Sequence, residues 1–148
     1  MKKQILVALL AFSGIFAVSA AQPGHAAEIT GYGRKCLDVR GSGTANGTAV
    51  QIWNCTHVAN QKWIISDGKI IGYGNKCLDV RDAGTANGTD VQMWDCMNVP
   101  NQQWSLANGK IVGYGGKRLD IGRTGTTNAP PVKMWDCFDI DNQKWSIR

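Results

Sequence analysis

One 25-residue pattern occurs three times in this chain at an offset of 41 residues, and it limits the possible folds more than any other feature. "GYGRKCLDVRGSGTANGTAVQIWNC" begins at Gly31 and aligns without a gap on "GYGNKCLDVRDAGTANGTDVQMWDC", which begins at Gly72. A looser copy, "GYGGKRLDIGRTGTTNAPPVKMWDC", begins at Gly113, and Asn-Gln-x-Trp follows each copy. Because one such unit is too small to bury its apolar residues alone, the three units of the chain must pack against one another.

Each unit has the pattern of four short strands separated by turn residues. In the first unit we predict strands at 36–39, 49–53, 62–65 and 69–71, with Asn-Gly and Asp-Gly in the tight turns. Residues 28–30 match the fourth strand, so the two ends of the domain should be adjacent. Helical periodicity is absent, and propellers typically need four to eight blades. We therefore predict an all-β fold with twelve short strands, in which three repeats of about 41 residues close into a barrel with pseudo-threefold symmetry.

The repeated Gln-x-Trp, with Cys-Leu-Asp upstream, resembles the ricin-type lectin family across residues 28–148. This resemblance implies a β-trefoil and sugar binding by an Asp, a Gln before an aromatic residue, that aromatic residue and the Asn of the motif. Members of the family commonly bind galactose or N-acetylgalactosamine, and some bind xylan or arabinan. With the Gln of the motif included, the expected site residues are Asp38, Gln51, Trp53, Asn60 and Gln61; Asp79, Gln92, Trp94, Asn101 and Gln102; and Asp120, Trp135, Asn142 and Gln143.

Strand alternation divides the six tryptophans into two classes. If Val50 and Ile52 face the core, Trp53 faces solvent together with Gln51. The tryptophans of the Asn-Gln-x-Trp segments are expected to fill the barrel core, and their glutamines to satisfy backbone or neighbouring groups. The three core tryptophans are Trp63, Trp104 and Trp145.

An Asp, an exposed indole and an Asn recur at fixed offsets, and together they suit a sugar. The carboxylate accepts hydrogen bonds from hydroxyls, the amide donates and accepts, and the indole packs on the C–H face. The alternative is purely structural, with Asp38 capping a turn and Asn60 bridging backbone groups. The third unit has Lys133 in place of the glutamine and Pro130-Pro131 in the turn, so its site is in doubt.

The five cysteines predict two disulfide bonds within units. Cys36 and Cys55 are 19 residues apart, as are Cys77 and Cys96. Cys137 has no such partner, because Arg118 stands at the matching position. It is either a buried, inert thiol or a thiol that forms a dimer. No Cys-x-x-Cys or His pair indicates a metal site, and no cofactor is expected.

The N-terminus predicts export. Lys2 and Lys3 precede an apolar run and an alanine-rich stretch, which is the pattern of a signal peptide within residues 1–27, cleaved between Ala20 and Ala27. We expect a secreted, extracellular or periplasmic domain at 28–148. Without Lys2 and Lys3, the formal charge falls from +5 to about +3 with interspersed signs, so we expect no nucleic-acid partner. A second apolar run is absent, so membrane insertion is not expected.

Each unit supplies one repeated carboxylate, whereas glycosidases need two that flank one bond. We therefore predict a lectin that is not an enzyme and binds glycans of the galactose or the xylan and arabinan type. The alternative is a subunit that binds a protein and has vestigial sugar sites. It would be the cell-binding or accessory subunit of a toxin or an enzyme, or a trefoil that resembles a protease inhibitor.

Overall fold

A computed structural model describes residues 25–122 and 127–148. The predicted signal peptide therefore lies outside the described residues, apart from positions 25–27. Within the described part the regular elements are twelve strands and eight short 3₁₀ turns. The strands are β1 Ile29–Thr30, β2 Cys36–Val39, β3 Thr48–Trp53, β4 Ile64–Ser66, β5 Lys69–Ile71, β6 Cys77–Val80, β7 Thr89–Trp94, β8 Ser105–Ala107, β9 Lys110–Val112, β10 Arg118–Ile121, β11 Val132–Trp135 and β12 Ser146–Ile147. The 3₁₀ turns are Tyr32–Arg34, Arg40–Ser42, Ala59–Gln61, Tyr73–Asn75, Arg81–Ala83, Pro100–Gln102, Tyr114–Gly116 and Asp141–Gln143.

The predicted twelve-strand fold with three repeats is confirmed. Each unit pairs two long strands in the same antiparallel register: β2 with β3, β6 with β7, and β10 with β11. The second strands of these pairs contact one another, because β7 pairs with both β3 and β11, and an isolated bridge joins Gln51 to Pro131. This ring of β3, β7 and β11 closes the barrel that the repeats predict.

The two ends of the domain meet, as predicted. β1 pairs with β12 so that Ile29 lies opposite Ile147, and the backbones of Glu28 and Arg148 exchange hydrogen bonds of 2.8 and 2.9 Å. Three predicted boundaries differ. The strand expected at 49–53 begins at Thr48, the one at 28–30 is Ile29–Thr30, and the largest difference is at 62–65, where the strand is Ile64–Ser66. The backbone of Trp63 instead pairs with Ala27 in an isolated bridge.

The core contains the three tryptophans assigned to it. Trp63 is fully buried, and Trp104 and Trp145 are almost fully buried. The Nε1–H of each indole donates to a leucine carbonyl 3.0 Å away, that of Leu37, Leu78 and Leu119 in turn. A glycine packs against each ring, and a Cβ at Gly72 would lie 2.5 Å from a carbon of Trp63. Each unit thus supplies one large aromatic side chain with its polar atom satisfied, as dense packing requires.

The asparagine of each long hairpin turn joins its unit to the next. The side-chain oxygen of Asn46 accepts from the backbone N–H of Asp95 at 2.8 Å, and its amide donates to that carboxylate at 3.1 Å. Asn87 makes the equivalent bonds to Asp136. At the contact between the third unit and the first, the side-chain oxygen of Asn128 accepts from the backbone N–H of Asn54. Asn54 stands where the other two contacts have an aspartate, so this contact has an amide in place of the carboxylate.

Both predicted disulfide bonds are present, Cys36–Cys55 and Cys77–Cys96. Each connects the first residue of one long strand to the second residue after the end of its partner strand, with Cα atoms about 5 Å apart. A search of the described residues for helices that would reach across a bilayer identified none.

Candidate functional site

Strand register brings the predicted polar and aromatic residues of the first unit to one surface. Asp38 on β2 lies directly opposite Gln51 on β3, and the next pair on the same face is Cys36 and Trp53. The 3₁₀ turn Ala59–Gln61 then places Asn60 beside this surface. A single pocket results, although these residues are up to 22 positions apart in the sequence.

Three side-chain amides hold the Asp38 carboxylate. Gln51 donates to Oδ1 at 2.9 Å, while Gln61 and Asn60 donate to Oδ2 at 2.9 and 3.3 Å. Asn60 also donates to the carbonyl of Val39 at 3.0 Å. Asp38 is 4 % exposed, so these bonds compensate a carboxylate that is largely withdrawn from water. An ionised carboxylate has about four acceptor positions, which leaves capacity for a ligand hydroxyl.

The prediction that Gln51 faces solvent with Trp53 is half wrong. Both side chains lie on the same face of β3, but Gln51 is 5 % exposed and Trp53 is 38 % exposed. Gln51 is covered because its amide donates to Asp38 while its carbonyl oxygen accepts from Nε of Arg40 at 2.8 Å. The same correction applies to Gln92, which is buried between Asp79 and Arg81.

A cleft of about 480 Å³, here called the first cleft, opens over these residues. Asp38 and Gln51 form its floor, and Trp53 provides an aromatic wall. The remaining lining residues are Arg40, Gly41, Thr56, Val58, Asn60 and Ala129. A carboxylate with acceptor capacity beside an indole face suits a ligand with adjacent hydroxyls and an apolar C–H surface.

The second unit repeats this arrangement. Asp79 accepts from Gln92 at 3.1 Å, from Gln102 at 2.9 Å and from Asn101 at 3.4 Å. The second cleft is smaller, about 170 Å³, and its lining residues are Asp79, Asp82, Gln92, Trp94, Met97, Val99 and Asn101. Asp82 stands where the first unit has Gly41, so this cleft has a second carboxylate in its wall.

The third unit keeps the carboxylate but loses part of its support. Asp120 accepts from Asn142 and Gln143, both at 2.8 Å, whereas Lys133 is directed away and pairs with Asp90 of the second unit. Burial raises the pKa of Asp120 above its ordinary value, and the two amide bonds only partly offset this effect.

The third unit also differs in what surrounds Asn142. Its Oδ1 is buried and has no hydrogen-bond partner within the described residues. A depression of about 430 Å³ nearby is lined by Asn142 with Tyr32, Asp139, Ile140 and Asp141, and Asp120 and Trp135 are not among its lining residues. Trp135 is 38 % exposed. The differences expected for this unit are therefore visible in its geometry.

The glutamines of the Asn-Gln-x-Trp segments support the carboxylates from behind. Gln61 is fully buried: its two N–H groups donate to Asp38 and to the carbonyl of Asn54, and its oxygen accepts from the N–H of Thr56. Gln102 and Gln143 make the equivalent three bonds in their units. All donors of these amides are used, so their place in each pocket is to position the Asp.

The thiol of Cys137 is exposed, so the alternative of a buried, inert thiol is wrong. Cys137 follows the end of β11, where the side chain points outward, and Arg118 fills the partner position by donating to the carbonyl of Phe138 at 2.9 Å. The sulfurs of Cys36 and Cys55 lie near the carboxylate of Glu28, but both are in a disulfide, whereas metals bind thiolates. Glu28 instead contacts His57 at 2.7 Å.

Sequence reasoning missed the arginines beside the clefts. Arg40 and Arg81 follow the strand that carries the Asp, and each bonds the buried glutamine through Nε at 2.8 Å. It also missed the apolar residues at the rims of the first two clefts, where Val58 and Met97 are each more than two-fifths exposed. The repeated Asp-Val-Arg is a signal that would have suggested a role for the arginines.

Comparisons with known proteins agree with this geometry. The profile of the ricin-type beta-trefoil lectin domain matches residues 25–147. A probable lipoprotein, EnvE of Salmonella typhimurium strain LT2, is 47 % identical over 38 residues; this segment is 26 % of the present chain and 22 % of EnvE. The chain thus spans less than a quarter of that curated relative.

Among solved structures, the designed threefold-symmetric protein ThreeFoil is 29 % identical, with a TM-score of 0.76 over 82 % of this chain and 96 % of its own. The C-terminal half of the earthworm R-type lectin, solved in complex with GalNAc, is 19 % identical, with a TM-score of 0.70 over 84 % of this chain and 98 % of its own. The fold, the three repeats and the profile match lead to one conclusion. The chain belongs to the ricin-type β-trefoil lectin family.

Proposed function

We propose that the protein is a secreted lectin that binds galactose- or N-acetylgalactosamine-type sugars, or related plant polysaccharide sugars, through up to three shallow pockets. The observation that carries this proposal is the pair of equivalent clefts in the first two units. In each cleft a buried carboxylate held by three amides lies beside a partly exposed tryptophan. The GalNAc complex of the earthworm lectin domain supports the choice of sugar.

The structural alternative for these residues explains less. Asp38 and Asn60 do bridge backbone and side-chain groups, as that alternative requires. It gives no reason, however, for an exposed indole at Trp53 and a half-buried one at Trp94, each beside a buried carboxylate. An apolar ring that remains accessible next to polar groups is typical of a carbohydrate platform.

Several features of the proposal follow from the shallow clefts. One cleft binds a monosaccharide with a dissociation constant of about 1 mM, or about 4 kcal/mol, and strength on a glycan-coated surface comes from several clefts acting together. The proposed function is binding without catalysis, and in each of the first two clefts the Asp of the motif is held by three side-chain amides. The third pocket is the weakest, because Lys133 replaces the supporting glutamine.

Export to an extracellular or periplasmic compartment is part of the proposal. The two disulfide bonds require an oxidising environment, and the name of the EnvE relative, a probable lipoprotein, agrees with this location. The exposed thiol of Cys137 then allows a disulfide-linked dimer.

The test is an NMR titration of the domain with galactose, in which the six indole N–H signals are followed. The signals of Trp53 and Trp94 should shift, while those of the three core tryptophans, whose N–H groups donate to leucine carbonyls, should stay fixed. Trp53→Ala and Trp94→Ala assign the signals and act as each other's control. If no indole signal shifts at a high millimolar concentration of galactose, the galactose proposal is refuted. If the signals shift with xylan fragments instead, the ligand is a xylan-type sugar.

A second candidate function is binding of a protein partner, as a cell-binding or accessory subunit. The observation that favours it is the exposed apolar pair Phe138 and Ile140 in the third unit, which are 49 % and 42 % exposed. A pull-down with and without excess galactose separates the two functions. Release by galactose indicates a glycan on the partner, whereas retention that is lost in Phe138→Ser indicates a protein contact.

A further inference from the structure

The first and second clefts differ in charge, although their sugar-binding motifs match. Arg40 lines the first cleft, whereas the matching Arg81 does not line the second. Both arginines hold the buried glutamine of their unit through Nε. The difference therefore lies in what the remaining guanidinium nitrogens contact.

In the second unit the guanidinium has a carboxylate partner. Nη1 of Arg81 lies 3.6 Å from Oδ2 of Asp90, which also pairs with Lys133. The residue that matches Asp90 in the first unit is Ala49. As a result, no carboxylate pairs with Arg40 among residues 25–122 and 127–148.

The guanidinium of Arg40 also has hydrogen-bonding capacity to spare. Of its five N–H donors, one binds Gln51 and one makes a long contact of 3.4 Å to the carbonyl of Ala129. The side chain is exposed and lines the same cleft as Trp53. Its charge thus faces the space that the proposed sugar occupies, whereas the corresponding wall of the second cleft carries the carboxylate of Asp82.

We propose that the first cleft selects a sugar that bears a carboxylate, and that the second cleft selects a neutral sugar. This inference rests on the proposed function and deepens it. A guanidinium binds a carboxylate through paired N–H donors, which is stronger than its contact with a neutral hydroxyl. In the second unit Arg81 does not line the cleft and lies beside Asp90, a carboxylate that it shares with Lys133. The carboxylate that does line the cleft, Asp82, repels an anion, so the same ligand is disfavoured there.

The experiment titrates the whole domain with D-galacturonate and with D-galactose, and follows the indole signals of Trp53 and Trp94. Galacturonate should bind about three- to fivefold more tightly than galactose at Trp53, and the preference should shrink in high salt. At Trp94 the order should reverse. N-acetylneuraminate serves as a third probe, because its carboxylate distinguishes a sialic acid from a hexuronate as the source of the charge.

Ala49→Asp installs the carboxylate that Arg81 already has, and Ala49→Asn is the matched neutral control. Ala49→Asp should abolish the preference for galacturonate at Trp53, whereas Ala49→Asn should keep it. Unchanged indole signals of Trp63, Trp104 and Trp145, which lie in the core, report that both variants are folded. Equal affinity for the two sugars at Trp53, or equal loss in both variants, would overturn the inference while the proposed function stands. Failure of both sugars to move either indole would instead overturn the proposed binding of galactose-type sugars, on which the inference rests.

Discussion

Replacing Gln61 by methionine, which has nearly the same shape, tests whether this residue holds the carboxylate or touches the sugar. The change removes two hydrogen bonds between neutral groups, at 2.9 and 2.8 Å, and one of 2.9 Å to the Asp38 carboxylate. Neutral bonds contribute about 1 kcal/mol each and a bond to a charged group about 1.5–3 kcal/mol. Thr56 and Asn54 are exposed residues, so we expect water to replace part of the two neutral bonds and the net loss to be about 3 kcal/mol.

Urea unfolding followed by tryptophan fluorescence measures this loss as a lower midpoint with an unchanged slope. The matched control is Gln143→Met, because Gln143 makes the same three bonds in the third unit. It should cost about as much stability but leave the galactose response of Trp53 intact. If Gln61→Met instead changes stability by less than about 0.5 kcal/mol and still abolishes that response, Gln61 is a direct sugar ligand and the positioning argument is wrong.

Three further predictions concern stability. Arg118→Cys should form a third disulfide with Cys137 and stabilise the domain by about 3 kcal/mol; thiol titration that finds two free cysteines in the variant would contradict this. The methyl group of Gly72→Ala would lie 2.5 Å from an indole carbon of the core, so thermal unfolding should show a loss of about 1–3 kcal/mol, and an unchanged midpoint would show that the ring can move aside. The hydrogen bond from Lys76 lowers the pKa of Asp95 in the folded protein. This pair therefore stabilises the fold fully at pH values above the unfolded pKa of about 4, and the stabilisation is lost as the pH falls through the lower folded pKa. Acid unfolding should therefore be less steep in Lys76→Gln, and identical pH profiles would count against this pairing.

The sequence predicted what depends on spacing and alternation. The repeat and its turn residues fixed the strand order, and the period of two separated the exposed Trp53 from the strand residues that face the core. The equal separation of the cysteines identified both disulfides. These features lie within a unit or follow from comparing the aligned units, so the sequence alone contains them.

The parts that sequence reasoning missed depend on contacts between distant residues. Gln51 is buried because the side chains of Asp38 and Arg40 bond to it. The alternation of residues along a strand shows which face a side chain is on, but not whether another side chain covers it. The ion pair of Arg81 arises from Asp90, a substitution that looks minor in the aligned repeats. Small differences between copies thus decide the charge of each cleft, although the shared pattern decides the fold.

The seam between β1 and β12 determines how the domain responds to mechanical force. In this antiparallel pair, residues 28 and 148 lie at the same end and exchange the outermost hydrogen bonds. Tension applied through these two residues loads one bond pair at a time, so the seam opens as a zipper rather than by shear. The disulfides then limit the extension, because the segments 36–55 and 77–96 cannot lengthen while their ends stay bonded. Under load the barrel therefore opens first at its seam, while the crosslinked hairpins that carry Asp38 and Asp79 keep their length.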